Sequence, residues 1–498
     1  MTTHRIAALA AATAVAASLL GLAVPRADAA PQRPSWTSCP GKDLDPRQRC
    51  ATVEVPLDHA DPGGQRITLA VSRIPAERPE RRRGVLLMVP GGPGGGAVDW
   101  PTKAAKQLPP EVREMYDLVG FDPRGVGRST PVDCGLAHED LSMTKLRPWP
   151  AADGSTTANA DTARRVAETC LRNGGPVLRT LSTANEARDI DRIREALGEH
   201  RLSLWGISYG TYAGAVYTTM FPNRTDRVVL DSNDDPDPAK VGRGWLAAFG
   251  PGTEDRFPDF ARWAAAPDNP LRLAERPEQV RPLFLELAAR LDREPLPWPG
   301  ANPEALDGNA LREALLNTLY DDERFPSLAQ LMRAGLERRT PPAPQLPPDR
   351  ALQNTVAVSV GVLCNDVAWP RDPAAIAGDV AESRAKHPLT AGMPVNVMPC
   401  AFWPAPAEPP VRITPDGPPN VLLAQNLRDP ATPYAGALKL RQAFGHRARM
   451  VAVDSGGHDV YAANGNACGD RLVTAFLTTG RRPAGDVLCP SEETPARG

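Results

Sequence analysis

The chain has 498 residues, more than one compact core usually organises, so two domains or one core with a large insertion are expected. With 42% hydrophobic residues, 23% charged residues and a formal net charge of −2, the composition is that of an ordinary soluble globular protein, and no basic block forms a nucleic-acid patch. Proline occupies 55 positions, about twice its usual share, which predicts long and stiff surface connections.

Residues 1–29 read as a signal peptide. His4 and Arg5 open a short basic region, Ile6 to Val24 is nearly all apolar, and Ala27-Asp28-Ala29 fits a cleavage site. No later apolar run is long enough to span a bilayer, so a secreted, extracellular protein with no membrane span after cleavage is expected. The cysteines agree. There are eight and none stands in C-x-x-C spacing, which favours disulfides in an exported chain. Nearest-neighbour pairing would join Cys39 to Cys50, Cys134 to Cys170, Cys364 to Cys400 and Cys468 to Cys489.

Ala51 to Pro56 and Ile67 to Ile74 alternate as strands around a Gly63-Gly64 turn. Gly84 to Pro90 is a continuous apolar run, the pattern of a strand buried on both faces, and it enters Gly91-Gly92-Pro93-Gly94-Gly95-Gly96. That run lacks the lysine ending of a phosphate loop and reads better as an oxyanion loop. Within it Gly92 is the donor, because Pro93 has no N–H. Tyr116 to Phe121 is the next buried strand, and Asp122 and Arg124 after it are spaced to brace a tight loop as an ion pair. Helices are expected at Asp161–Arg172 and Asn185–Leu197.

Leu202 to Trp205 then reads as a strand, Gly206-Ile207-Ser208-Tyr209-Gly210 as a sharp turn and Tyr209 to Met220 as a helix. Strand, G-x-S-x-G and helix describe a nucleophile elbow, with Ser208 as nucleophile and the Tyr209 N–H as second oxyanion donor. Strand and helix alternate through Arg227–Asp231, which predicts an α/β class with a mostly parallel sheet and helices on both faces. Residues 30–234 would form the first part of this core. From 235 to 400 the chain turns helical and proline-rich, with its best helices at Arg281–Arg290, Asn309–Leu319 and Leu328–Glu337, and reads as a helical lid insertion. Sheet pattern returns in 401–498, the second part of the core, with strands at Asn420–Asn426 and Arg449–Val453 and helices at Tyr434–Ala443 and Arg471–Thr478.

In such a sheet the acid and the base follow the carboxyl ends of later strands. His458 follows the strand ending at Val453, whereas His446 precedes it and belongs to the opposite edge. Asp429 follows the strand ending at Asn426 and is the preferred acid, with Asp231 as the alternative. The expected catalytic set is therefore Ser208, Asp429 and His458. No metal constellation, nucleotide loop or cofactor motif is present in the sequence.

The chain resembles the secreted tripeptidyl-aminopeptidase-like serine hydrolases, relatives of prolyl aminopeptidase with the α/β-hydrolase fold. The resemblance rests on Gly91-Gly-Pro-Gly-Gly95, Asp122-Pro-Arg-Gly-Val-Gly-Arg-Ser129, Gly206-Ile-Ser-Tyr-Gly210, Cys364-Asn-Asp366, Arg428-Asp-Pro-Ala-Thr-Pro433 and Gly456-Gly-His458, in family order across almost the whole mature chain. It implies the same three catalytic residues, a C-terminal module of the tripeptidyl-aminopeptidase type from roughly residue 390, and peptide substrates with a free N-terminus. Acidic groups must then hold the substrate ammonium, for which Asp366, Asp234, Asp235 and Asp237 are the candidates. An esterase with the same triad is the first rival reading, since the fold does not choose between them.

Overall fold

The computed structural model describes residues 32–492. The signal peptide expected at 1–29 lies outside them. Twelve strands are present among the described residues: β1 (Thr37–Ser38), β2 (Arg49–Pro56), β3 (Arg66–Ile74), β4 (Gly84–Val89), β5 (Tyr116–Phe121), β6 (Leu202–Ile207), β7 (Thr225–Asp231), β8 (Leu296–Pro297), β9 (Ala305–Leu306), β10 (Val421–Arg428), β11 (Ala448–Gly456) and β12 (Val487–Cys489). All but the small β8–β9 hairpin form one sheet in the order β1-β2-β3-β5-β4-β6-β7-β10-β11-β12. β1, β2 and β3 pair antiparallel, β3 meets β5 antiparallel, and every pair from β5 to β12 is parallel.

The sequence explains this division. β4 and β5 are buried at every residue, as parallel strands covered on both faces must be. Along β4, Leu87 and Val89 enter one apolar core while Leu86 and Met88 enter the core on the other face. That alternation is the period of the strand. At roughly 1.5–3 kcal/mol for each large apolar side chain buried, these two layers dominate the stability of the sheet. β2 keeps Glu54 exposed between buried Val53 and Val55, because only one face of that edge is covered.

Topology places the site. From β4 the chain steps outward to β5, then returns to lay β6 on the other side of β4. Loops that leave a parallel sheet at such a reversal diverge and open a crevice at the carboxyl ends of the strands. The glycine run after β4 and the turn after β6 flank that crevice, with Val89 registered against Gly206.

Between β7 and β10, neighbours in the sheet, lie six of the fifteen α-helices among the described residues. Helices Arg243–Ala265, Val280–Arg293, Gly308–Thr318 and Phe325–Glu337 share an apolar core of their own that includes Phe257, Phe260, Phe284 and Leu315. Helix Asp349–Asp366 does not join them. Its Val356, Val358, Val360 and Val362 pack into the larger core beside the sheet. Thus the 235–400 stretch, expected as one insertion, divides between a separate helical lobe and the main body.

Four disulfides join Cys39 to Cys50, Cys134 to Cys170, Cys364 to Cys400 and Cys468 to Cys489. Among the described residues no helix is long and apolar enough to cross a membrane. One contact departs from the sequence expectation. Arg124 does not pair with Asp122 but forms two 2.7 Å hydrogen bonds to Asp189 on helix Thr183–Ala196. Asp122 instead accepts the backbone N–H groups of Val98 and Arg128. A buried guanidinium needs a buried carboxylate, and Asp122 is already committed to the loop.

Candidate active site

Ser208 stands between β6 and helix Tyr209–Met220 at φ 58° and ψ −128°, a backbone conformation closed to most side chains. The turn is held from both sides. The Ser208 N–H donates to the carbonyl of Asp231 at 3.0 Å, and the Thr211 N–H and hydroxyl both donate to the carbonyl of Ser208. Its glycines are sterically required. A Cβ on Gly206 would lie 2.3 Å from the carbonyl oxygen of Gly210, and one on Gly210 would lie 2.2 Å from that of Val89. Gly91 is constrained likewise, since its Cβ would come within 2.9 Å of the Ser208 Cβ.

β10 and β11 deliver the other two groups. The Nδ1 of His458 lies 2.9 Å from Asp429 Oδ2 and 3.1 Å from Oδ1. Asp429 also accepts the N–H groups of Ala431 and Thr432 and the Thr432 hydroxyl, each at 2.9 Å. Burial opposes ionisation of Asp429, but the His458 charge and these hydrogen bonds outweigh it and hold the carboxyl below its usual range. For His458, burial disfavours the imidazolium, while Asp429 and then Asp459 favour it and carry its pKa above the ordinary value. The His458 N–H donates to the carbonyl of Tyr320 at 2.8 Å, and the two rings meet edge to face at 4.9 Å. The helical lobe therefore touches the histidine directly.

Ser208 and His458 line one cavity of about 590 Å³ together with Gly92, Trp100, Tyr320 and Asp459. Tyr209 begins the helix after the elbow, so its N–H lies at the positive end of the helix dipole. The alternative acid, Asp231, faces elsewhere, accepting the N–H groups of Val460 and Tyr461 at 2.9 and 2.8 Å. His446 is exposed before β11, away from this edge.

The four carboxylates expected to hold a substrate ammonium do not line the cavity. Asp366 accepts the N–H and hydroxyl of Thr183 in the core, and Asp235 pairs with Lys439 at the surface. Asp237 accepts the N–H of Ala239, and Asp234 is buried, its N–H donating to Thr211. Asp235 and Asp237 serve local turns, accepting the N–H groups of Asp237 and Ala239.

The carboxylate that does reach the cavity is Asp459, which sequence reasoning missed. It adopts φ 75°, a region that favours glycine, and its Oδ1 is buried with no hydrogen-bond partner 3.8 Å from His458 Nε2. The only signal in the sequence was an acid directly after the histidine. Asp459→Asn is expected to shift the acid limb of kcat/KM to lower pH. The histidine acts as a base only when neutral, and removing a neighbouring anion lowers its pKa. Activity on the acid side should rise several-fold relative to the optimum; an unmoved limb in a pH–rate profile would rule this effect out.

Two family models match the chain. One, for the alpha/beta hydrolase fold, covers residues 84–295, and the other, for TAP-like protein, covers residues 387–489. The chain is 34% identical to the tripeptidyl aminopeptidase of Streptomyces lividans over 95% of its own length and 90% of that protein. It is 32% identical to carboxylesterase B of Mycobacterium tuberculosis, over 92% of this chain and 90% of that one. To serine protease Hip1 of the same organism it is 28% identical, over 91% and 90%.

Proposed function

The chain belongs to the tripeptidyl aminopeptidase family of α/β hydrolases and is a serine exopeptidase, in which we propose that Ser208, His458 and Asp429 carry the reaction on peptides with a free N-terminus. The observation that carries this reading is the His458 Nδ1–Asp429 contact at 2.9 Å beside a strained serine on the same cavity.

His458 Nε2 takes the proton of Ser208 as its oxygen attacks the scissile carbonyl. Asp429 fixes the tautomer that leaves Nε2 unprotonated, and it stabilises the imidazolium that forms. The N–H groups of Gly92 and Tyr209 receive the oxyanion, and the helix dipole behind Tyr209 adds to that field. As the intermediate collapses, His458 returns the proton to the departing amine, leaving an acyl-enzyme. Water, deprotonated by the same imidazole, then releases the N-terminal unit as its free acid and restores Ser208. The helical lobe acts as a lid over this step, since Tyr320 both walls the cavity and holds the histidine backbone. The four disulfides support a secreted, extracellular location.

A second reading, carboxylic-ester hydrolysis through the same triad, is favoured by the similarity to carboxylesterase B. One panel of substrates separates the two: a free-amine tripeptide anilide, its N-acetylated form, a single-residue anilide and a short acyl ester. The free-amine tripeptide is expected to be cleaved fastest, and acetylation to lower kcat/KM by at least about 100-fold, since the amide carries neither the charge nor the donors of an ammonium. Turnover of the ester alone would replace the peptidase with the esterase.

A further inference from the structure

Behind the elbow lies a buried chain of four side chains that the catalytic cycle does not use. Thr183 Oγ1 lies 2.5 Å from Asp366 Oδ2 and 3.0 Å from the Tyr209 hydroxyl, which in turn lies 2.8 Å from Glu186 Oε2. All four residues are buried. These are three hydrogen-bonding contacts in series, yet the two hydroxyls supply only two hydrogens. With both carboxyls ionised, one contact would set lone pair against lone pair in a medium of low dielectric. A third hydrogen completes the series, and one of the two acids must carry it.

The surroundings say which. Asp366 Oδ1 accepts the backbone N–H of Thr183 at 2.8 Å, a bond that supports a carboxylate. Glu186 Oε1 is buried with no partner at all. The neighbouring charges point the same way. On the same helix, Asp189 is held as an anion between Arg124, from the loop after β5, and His59, from the loop after β2. The positive charge nearest Glu186 is thereby already matched. Arg188 of that helix is engaged by Glu408, the elbow helix contributes Tyr209 and Tyr212, and helix Asp349–Asp366 contributes Asp366.

We propose that Glu186 is protonated in the working enzyme and is a positioning residue: it donates to Tyr209, which donates to Thr183, which donates to Asp366, and the series holds the elbow residue whose N–H faces the oxyanion. This rests on reading Tyr209 as an oxyanion donor. Burial, foremost, pushes the Glu186 carboxyl up to about 8, above the value of about 7 that burial gives Asp366. Loss of the Glu186 proton strands the Tyr209–Thr183 contact, places a second anion beside Asp366 and loosens Tyr209. The sign follows. Glu186 binds its proton more tightly in the folded protein than in the unfolded chain, so its contribution to stability is complete below its ordinary pKa and is lost as pH rises through the folded value.

The test compares pH profiles of kcat/KM for the wild type and Glu186→Gln on a free-amine peptide anilide, with infrared titration of the carboxylic-acid carbonyl band. At alkaline pH the wild type should lose activity relative to Glu186→Gln, because only the wild type has a carboxyl there to ionise. Glu186→Gln, whose amide still donates to Tyr209, should keep its activity there. One component of the infrared band should titrate away with the alkaline limb in the wild type and be missing from Glu186→Gln, the remainder coming from the buried carboxyls Asp231 and Asp234. Should that variant not fold, Tyr209→Phe must shift the band by removing its hydroxyl partner. An unchanged alkaline limb in Glu186→Gln, or an acid band that is the same in wild type and variant, overturns the proposal. A Ser208→Ala enzyme that stayed active would remove the elbow reading instead, leaving the infrared band in place.

Discussion

Replacement of Ser208 by alanine is expected to lower kcat by roughly 10⁴- to 10⁶-fold, the range seen when a nucleophile is removed from a triad that acts as a unit. KM should change little, because the cavity wall keeps its shape. The stability effect is separate and depends on the backbone. At φ 58° and ψ −128° the residue sits where a Cβ is strained, by an amount on the order of 1–3 kcal/mol. Alanine keeps that Cβ and should leave the melting temperature nearly where it was. Ser208→Gly removes it and should raise stability by about 1 kcal/mol, after allowing for the roughly 0.4–1 kcal/mol that glycine's added freedom gives the unfolded chain. Kinetics and thermal unfolding on the same two variants therefore report chemistry and strain independently. An active Ser208→Ala enzyme would remove the nucleophile assignment. Inactive variants of equal stability would keep it but deny that strain is stored at the elbow.

That turn was legible in the sequence because its constraints are local. Gly206 and Gly210 are dictated by backbone atoms within the strand and helix they join, and by β4 beside them. Buried parallel strands such as Gly84–Val89 were legible for a similar reason: covering both faces leaves no polar position to obscure the run. Helix Arg243–Ala265 was not. It contains Pro251 and Pro258, which remove helical hydrogen bonds, and glycines that lower its propensity. Packing supplies the reason for at least one of them, since a Cβ on Gly252 would lie 2.4 Å from the carbonyl of Pro430, in the turn next to Asp429. Helix Asp349–Asp366 was hidden differently. Val356, Val358, Val360 and Val362 repeat with the period of a strand, yet the segment is a helix whose Gly361 packs against Leu181, where a Cβ would lie 2.5 Å from Leu181 Cδ1. Among charges, partners were the unreadable part. Arg124 found Asp189 rather than Asp122, and Asp366 and Glu186 met through Thr183 and Tyr209, because such pairings are set by tertiary packing across long sequence separations.

The choice between the two acids yields the second large effect. Asp429→Asn is expected to lower kcat by about 10⁴-fold while the protein stays folded. The asparagine carbonyl can keep the place of Oδ1 and accept the N–H groups of Ala431 and Thr432, so the loop retains its two backbone hydrogen bonds and loses only the one from the Thr432 hydroxyl to Oδ2. Its amide then replaces Oδ2 and presents a donor to His458 Nδ1, 2.9 Å away, where an acceptor is required. The imidazole answers by placing its own hydrogen on Nε2, and a protonated Nε2 cannot accept from Ser208. Asp231→Asn should behave in the opposite way. It can satisfy only one of the N–H groups of Val460 and Tyr461, so stability falls by about 1–3 kcal/mol. Its effect on kcat should be at least a hundredfold smaller than that of Asp429→Asn, because it acts on the histidine only through the loop that follows it. Equal losses of kcat in the two variants would mean that the carboxylate beside Nδ1 is not what sets the tautomer, and the pairing of His458 with Asp429 would lose its catalytic meaning.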